Sequence, residues 1–402
     1  MTVSKYAAFN NETALNYIKS LGMFFSADAE LTCYEFGDGN LNLVFRILDT
    51  DNNSVILKQA LPYARCVGES WPLTLDRARI EAQVLQKHGE VCPAHTAKVL
   101  HHDSDKAATV LEDLGAMNIL RGELIAGRTF ENLGLHVAQY FATTSFYYSD
   151  FYLNPQDKKA QIQNFTNPEL CAITEDLFFD DPYRECERNN YPIALAEQVN
   201  QLRKNPTLLC TVARLKSKFF SSPQTLLHGD VHTGSIFVNA EQTKLIDPEF
   251  GFFGPIGFDL GSFIGNLLLN YCAQNGRIKE PPKRRDLHSY LLNTISTCLQ
   301  QFEQSWLTLA QQHTRDLALQ APGYLELFLQ EVLQDTMGYC GTELIRRTIG
   351  LAHVADIAEI ADESQRLLAQ KQALQLGEQL LLNAKSCRST DDFYQLVISF
   401  VH

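Results

Sequence analysis

The sequence predicts an α+β chain of two lobes, a small antiparallel β lobe followed by a larger, mainly helical one. Three observations carry this. Short runs of β-branched and aromatic residues, broken by turn residues, fill the first third of the chain. From about residue 118 onward the apolar residues recur at helical spacing. One polar patch at 225–258, crowded with Gly, Asp, His and Pro, interrupts the helices. At 402 residues the chain also exceeds a single domain of ~150. The expected lobes are 1–114 and 115–402, with a hinge near Glu112 to Asn118. Clefts between lobes are preferred sites for small ligands.

Each element follows from local chemistry. Asn10-Asn11-Glu12-Thr13 supplies capping residues for a short helix that ends at Leu21, with Gly22 as the stop. Strands are expected at 31–36, 41–48 and 54–59, separated by Gly-Asp-Gly and Asp-Asn-Asn turns. Residues 74–88 read as a helix, because Leu75, Ala78, Ala82 and Leu85 recur at steps of three and four. Another strand is expected at 107–114. His101-His102-Asp103 reads as an exposed turn between strands. The helical part comprises 129–147, 192–219, 288–312, 324–340, 342–361 and 363–384, and Lys283-Arg284-Arg285 reads as a solvated loop after two prolines.

Charge and cysteines limit the function. With 34 basic and 47 acidic residues the net charge is −13, which argues against nucleic acid or an anionic membrane as the main partner. The ten cysteines show no C-x-x-C and no close pairs, as expected of reduced thiols in the cytoplasm. No stretch approaches the ~20 apolar residues of a membrane span.

Three constellations carry chemistry. Between two strands, Gly37-Asp38-Gly39-Asn40-Leu41-Asn42 reads either as a hairpin turn or as a loop whose N–H groups reach phosphate. A dinucleotide loop is excluded, because strands flank it and Asn42 replaces the third glycine. Lys58 ends an apolar strand, and Glu81 follows on the next helix. That is the order in which a kinase lysine holds phosphates and pairs with a glutamate, with Arg79 or Glu69 as competing partners. His228-Gly229-Asp230-Val231-His232-Thr233-Gly234-Ser235 precedes Asp247-Pro248-Glu249 by a short hairpin. Two carboxylate loops in one pocket are what Mg²⁺-assisted phosphoryl transfer requires.

These loops resemble the aminoglycoside phosphotransferase and choline kinase branch of the protein-kinase-like fold. The strings 37–45, 58–63, 68–74, 232–236, 247–255, 257–261 and 343–347 are similar to the S-methyl-5-thioribose kinases of methionine salvage. The resemblance implies ATP-dependent phosphorylation of methylthioribose at its anomeric 1-hydroxyl, with ATP and Mg²⁺ as cofactors. By it Asp230 is the catalytic aspartate beside the attacking hydroxyl, and Asp247 and Glu249 are the metal ligands. Many relatives have Asn at Ser235, which leaves Ser235 a weaker metal ligand.

Lys58 and residues 37–42 match the ATP-phosphate positions, and Glu112, Asp113 and Leu114 fall at the adenine-contacting hinge. Arg346 and Arg347 match a pair used at the sugar, against the plain reading of helix arginines in surface ion pairs. Asn40 is expected near the sugar too. Trp71 is either a lid residue or a packed surface tryptophan, and His232 a loop organiser that holds Asp230 by hydrogen bonds. The resemblance also implies a homodimer. Two other functions remain open. One is the same fold with a choline, homoserine or aminoglycoside acceptor; the other is a nucleotide-binding protein without catalysis.

Overall fold

The computed structural model describes residues 6–36, 41–64 and 68–401. Gly37, Asp38, Gly39 and Asn40 lie outside the described residues.

Helix α1 (Asn11–Leu21) starts at a reciprocal cap between Asn10 and Thr13 and stops at Gly22. Strands β1 (Thr32–Phe36), β2 (Asn42–Leu48) and β3 (Ser54–Ala60) follow as a meander. A short ribbon, β4 (Tyr63–Ala64) and β5 (Gly68–Pro72), leads into α2 (Arg77–Val91). Strands β6 (Val99–Asp103) and β7 (Ala108–Glu112) complete a five-stranded antiparallel sheet of order β1-β2-β3-β7-β6. Alternation sets its faces. Phe45, Ile47, Leu57 and Val110 pack with Ala14 and Ile18 of α1, while Ile56 and Leu111 pack with Leu85 of α2.

The sheet corrects one expectation. His101-His102-Asp103 is not an exposed turn but half-buried strand, with His102 opposite Thr109. A register shift between Val99 and His101 breaks the alternation that would have revealed it.

After Glu112 the chain crosses to the helical part. Strand β8 (Asn118–Ile119), α3 (Leu120–Ile125) and α4 (Leu133–Tyr147) come first, then α5 (Pro155–Asn164), α6 (Pro168–Glu175), α7 (Ala196–Lys204) and α8 (Pro206–Ser221). The polar patch holds short strands. Strand β9 (Thr225–Leu226) pairs with β12 (Phe253–Gly254), and β10 (Ile236–Val238) lies between β11 (Thr243–Leu245) and β8. Then come α9 (Gly257–Arg277), α10 (Pro281–His313), α11 (Tyr324–Ile349), α12 (Ala355–Ala358), α13 (Glu363–Asn383) and α14 (Thr390–Val401). A large core around Phe146, Phe263, Leu291 and Trp306 joins α4, α9, α10 and α11.

Helix boundaries depart from expectation where breakers have other uses. The helix expected at 192–219 is two, because Asn205 caps a new start at Pro206 through the Thr207 and Leu208 N–H groups. Residues 324–340 and 342–361 form no separate pair: α11 runs unbroken through Gly341. A Cβ there would lie 2.7 Å from the Gly377 carbonyl oxygen, so the glycine serves close packing of α13. Lys283-Arg284-Arg285 belongs to the start of α10, whose prolines occupy its first turn, where a missing N–H costs nothing. Among the described residues no helix is long and apolar enough to cross a membrane.

Candidate active site

The cleft between the sheet and the helical part is tied by charged side chains. Lys58, buried on β3, donates from Nζ to Glu81 Oε1 on α2 at 2.8 Å and also pairs with the Asp247 carboxylate. Glu81 is thus the partner of Lys58, while Arg79 pairs with Asp76. Burial disfavours the Lys58 ammonium, but the Asp247, Glu81 and Glu249 charges outweigh it and raise its pKa. Burial also raises Asp247, yet Lys58 brings it below the usual carboxylate range. Glu249 is raised, first by burial and then by the Asp247 charge. Asp247 and Glu249 are therefore close enough for the charge of one to disfavour the charge of the other.

Asp247 is left-handed at φ +71, a conformation that costs a non-glycine residue about 1–2 kcal/mol. Its side chain stays 40% exposed and so faces the cleft. Glu249 is buried. Its Oε2 accepts from Asn42 Nδ2 at 3.2 Å and from Arg77 Nη1 at 3.0 Å. Arg77 is fully buried and also donates to Asn42 and to the Leu41 and Leu61 carbonyls. Asn167 holds the same loop through the Glu249 and Gly251 carbonyls.

The loop bearing Asp230 is built on Gly229. At φ +86 its Cβ would fall 2.2 Å from the Phe250 carbonyl oxygen, so only glycine fits. The N–H groups of His228 and Gly229 donate to the Asp259 carboxylate at 2.8 and 3.0 Å. His232 Nδ1 accepts from the Gly234 N–H at 3.0 Å. Its Nε2 lies 3.6 Å from Asp230 Oδ2, beyond a good hydrogen bond. Burial, then Arg121 and Arg347, hold the imidazole far below its ordinary pKa, so it is neutral near pH 7. His232 therefore shapes the turn and does not bind Asp230 directly. The Ser235 hydroxyl is engaged within the same turn, with the His232 N–H and carbonyl and the Asp230 carbonyl as partners.

Arg346 and Arg347, in the last turn of α11, face this loop. Their Nη2 atoms lie 3.9 and 3.7 Å from Asp230 Oδ1. Both Nε groups pair with Glu343, which is fully buried; the Arg347 contact is 2.9 Å. Arg346 also lies over the Phe178 ring, 3.5 Å from its centroid. Burial and the neighbouring Arg347 lower Arg346 to about 10, so it remains charged at neutral pH. These are not surface ion pairs.

The expected hinge residues are held by contacts of their own. The Glu112 side chain accepts from the Lys98 N–H and pairs with Lys244. Asp113 accepts from Arg46 Nε and Ser54 Oγ, each at 2.6 Å. Leu114 packs against the small core of Leu85, Ala97 and Leu111. Trp71 is half-buried on β5. Sequence reasoning passed over Arg77, Arg121 and Glu343. A spacing signal exists only for Glu343, which stands three and four residues before the arginines.

A two-lobed fold whose cleft gathers a strand lysine, a loop aspartate and a D-x-E pair defines a small-molecule phosphotransferase. Residues 32–287 match the model of the phosphotransferase enzyme family. Methylthioribose kinase of Yersinia enterocolitica is 51% identical over 391 residues, covering 97% of this chain and 98% of its own. The methylthioribose kinase of Cronobacter sakazakii is 50% identical over 394 residues, with 97% and 98% covered. The crystal structure of a choline kinase from Cryptosporidium parvum Iowa II matches at TM-score 0.51 and 11% identity, covering 98% of this chain and 99% of that one; it shows the fold alone. The chain belongs to the phosphotransferase enzyme family and, within it, to the methylthioribose kinases.

Proposed function

We propose that this enzyme transfers the γ-phosphoryl group of ATP to the 1-hydroxyl of S-methyl-5-thioribose, giving S-methyl-5-thioribose 1-phosphate and ADP. The observation that carries this reading is Asp230 set beside the buried Arg346 and the largely buried Arg347, 3.9 and 3.7 Å away. A carboxylate there accepts the proton of an attacking hydroxyl while the arginine forks donate to neighbouring sugar hydroxyls. Their charge also stabilises the phosphoryl group in transit. The lobes 1–114 and 115–402 would then divide nucleotide and sugar handling between them.

Lys58, steered by Glu81, would exchange Asp247 for phosphate oxygens when ATP enters. The Glu112 and Asp113 side chains have partners of their own, so adenine contact at the hinge falls to the main chain of Glu112 to Leu114. Phosphoryl transfer depends mainly on positioning and charge, which these residues supply.

A divalent metal, which we assign as Mg²⁺, accompanies this chemistry and neutralises charge on the phosphates. Asp247 and Glu249 fit it. Both are hard oxygen donors, their crowding favours a cation, and Mg²⁺ takes one or two carboxylates with phosphates and water. Ser235 is occupied in its turn, and we assign it loop shaping.

Choline or an aminoglycoside is a poorer acceptor, because both are cations and would meet the arginine pair. The test is ADP release with methylthioribose, choline and an aminoglycoside in parallel. Turnover confined to methylthioribose supports the reading, and faster turnover of either cation overturns it.

A further inference from the structure

We propose that Arg121 is a positioning residue that fixes the distance between the Asp230 loop and the Arg346–Arg347 pair. The proposal rests on the phosphoryl-transfer reading for its functional consequence, and on geometry for the positioning itself. Arg121 sits on α3, directly after the hinge. Its Nε donates to Thr233 Oγ1 at 3.2 Å, in the loop three residues beyond Asp230. Its Nη2 donates to Asn266 Oδ1 on α9 at 2.9 Å. Asn266 Nδ2 in turn donates to Glu343 Oε1 at 2.8 Å, the same oxygen that accepts from Arg347 Nε.

The contacts close a ring. One arm runs from Arg121 through Thr233 along the loop to Asp230. The other runs through Asn266 and Glu343 to Arg346 and Arg347, whose far ends return to Asp230. Asn266 is 1% exposed, and its amide has only one workable orientation. A flip would set NH₂ against the guanidinium and oxygen against the carboxylate. Asp356, also 1% exposed, lies 3.3 Å from Arg121 Nε and receives Asn270 Nδ2 at 2.7 Å, which anchors the guanidinium from behind. The planar fork aims Nε at Thr233 and Asp356 and Nη2 at Asn266, whereas an ammonium's donors all radiate from one atom. Because α3 follows the hinge directly, the ring also ties the sugar-facing arginines to the segment beside the nucleotide.

The test uses Arg121→Lys in the full chain, with two readouts. In arginine-labelled protein, the Nε–H NMR signals of Arg346 and Arg347 should shift relative to the parent. In steady-state kinetics, KM for methylthioribose should rise about tenfold or more while KM for ATP stays within about twofold, since small displacements of positioning groups are costly. A purely structural role would instead lower the melting temperature and raise both KM values together. Unmoved Nε–H signals, or parallel changes in both KM values, overturn the proposal. If the parent enzyme does not turn over methylthioribose, the functional reading fails and the NMR signals still decide the positioning. Should Arg121→Lys fail to fold, Thr233→Val opens the ring on the loop side alone, is nearly isosteric, and is held to the same two readouts.

Discussion

Replacing Arg77 by Met should weaken the joint between the two parts of the molecule. Arg77 is fully buried and bonds Glu249, Asn42 and the Leu41 and Leu61 carbonyls, so it spans the cleft at the root of the loop bearing Asp247 and Glu249. Methionine fills a similar length but donates nothing. Glu249 would be left with only Lys58 nearby and the Asn42 amide bonded to it, and two carbonyls would lose a donor. Orphaning a buried ion-pair partner costs about 3–5 kcal/mol. Lys58, which also favours the charged form of Glu249, draws the expectation to the lower end of that range. Urea unfolding followed by tryptophan fluorescence measures it well. Trp71 reports on the sheet side and Trp306, fully buried, on the helical core. A Trp71→Phe background isolates the core signal. A loss under about 1 kcal/mol, the range of an exposed pair, would refute the argument.

Three further outcomes follow from the site. Asp230→Asn should lower kcat by about 10²–10⁴, as expected for losing a general base, while ADP affinity by calorimetry stays unchanged. Parent-like turnover would contradict its role. Glu343→Gln should flatten the acid limb of stability. Burial alone would raise Glu343, but Arg346 and Arg347 hold it below its ordinary 4.5. Its stabilisation is therefore complete above that value and fades as pH falls through the lower folded pKa. Melting temperatures of parent and variant should converge as the solution is acidified, and parallel curves would count against this. Gly229→Ala should cost at least about 2 kcal/mol through strain and collision with Phe250, seen as a lower melting temperature with loss of turnover. Unchanged melting would contradict the loop geometry.

Local chemistry made much of the site legible. Asp230, Asp247 and Glu249 stand in short loops where residue type and spacing are set within twenty positions. Lys58 and Glu81 were legible as a strand lysine and a helix glutamate in order. The arginine pair was not; its residues alone read as surface ion pairs, and only resemblance placed it at the sugar. Arg77 and Arg121 were silent because their partners lie far away, Glu249 at 172 positions and Asn266 at 145. No local pattern records such a pairing. The same holds for fold details. Strand β6 ends in His101-His102-Asp103 and shows no apolar–polar alternation to mark it, and Gly341 stops no helix because α13 needs its missing side chain.

Phosphorylation of methylthioribose at its 1-hydroxyl is tested most directly by ³¹P NMR of the sugar product. The enzyme is incubated with methylthioribose, ATP and Mg²⁺, and ADP release is followed in the same sample. The prediction is one sugar phosphate, coupled to the anomeric proton, formed in step with ADP. ADP without a sugar phosphate, or a phosphate on another hydroxyl, would contradict it.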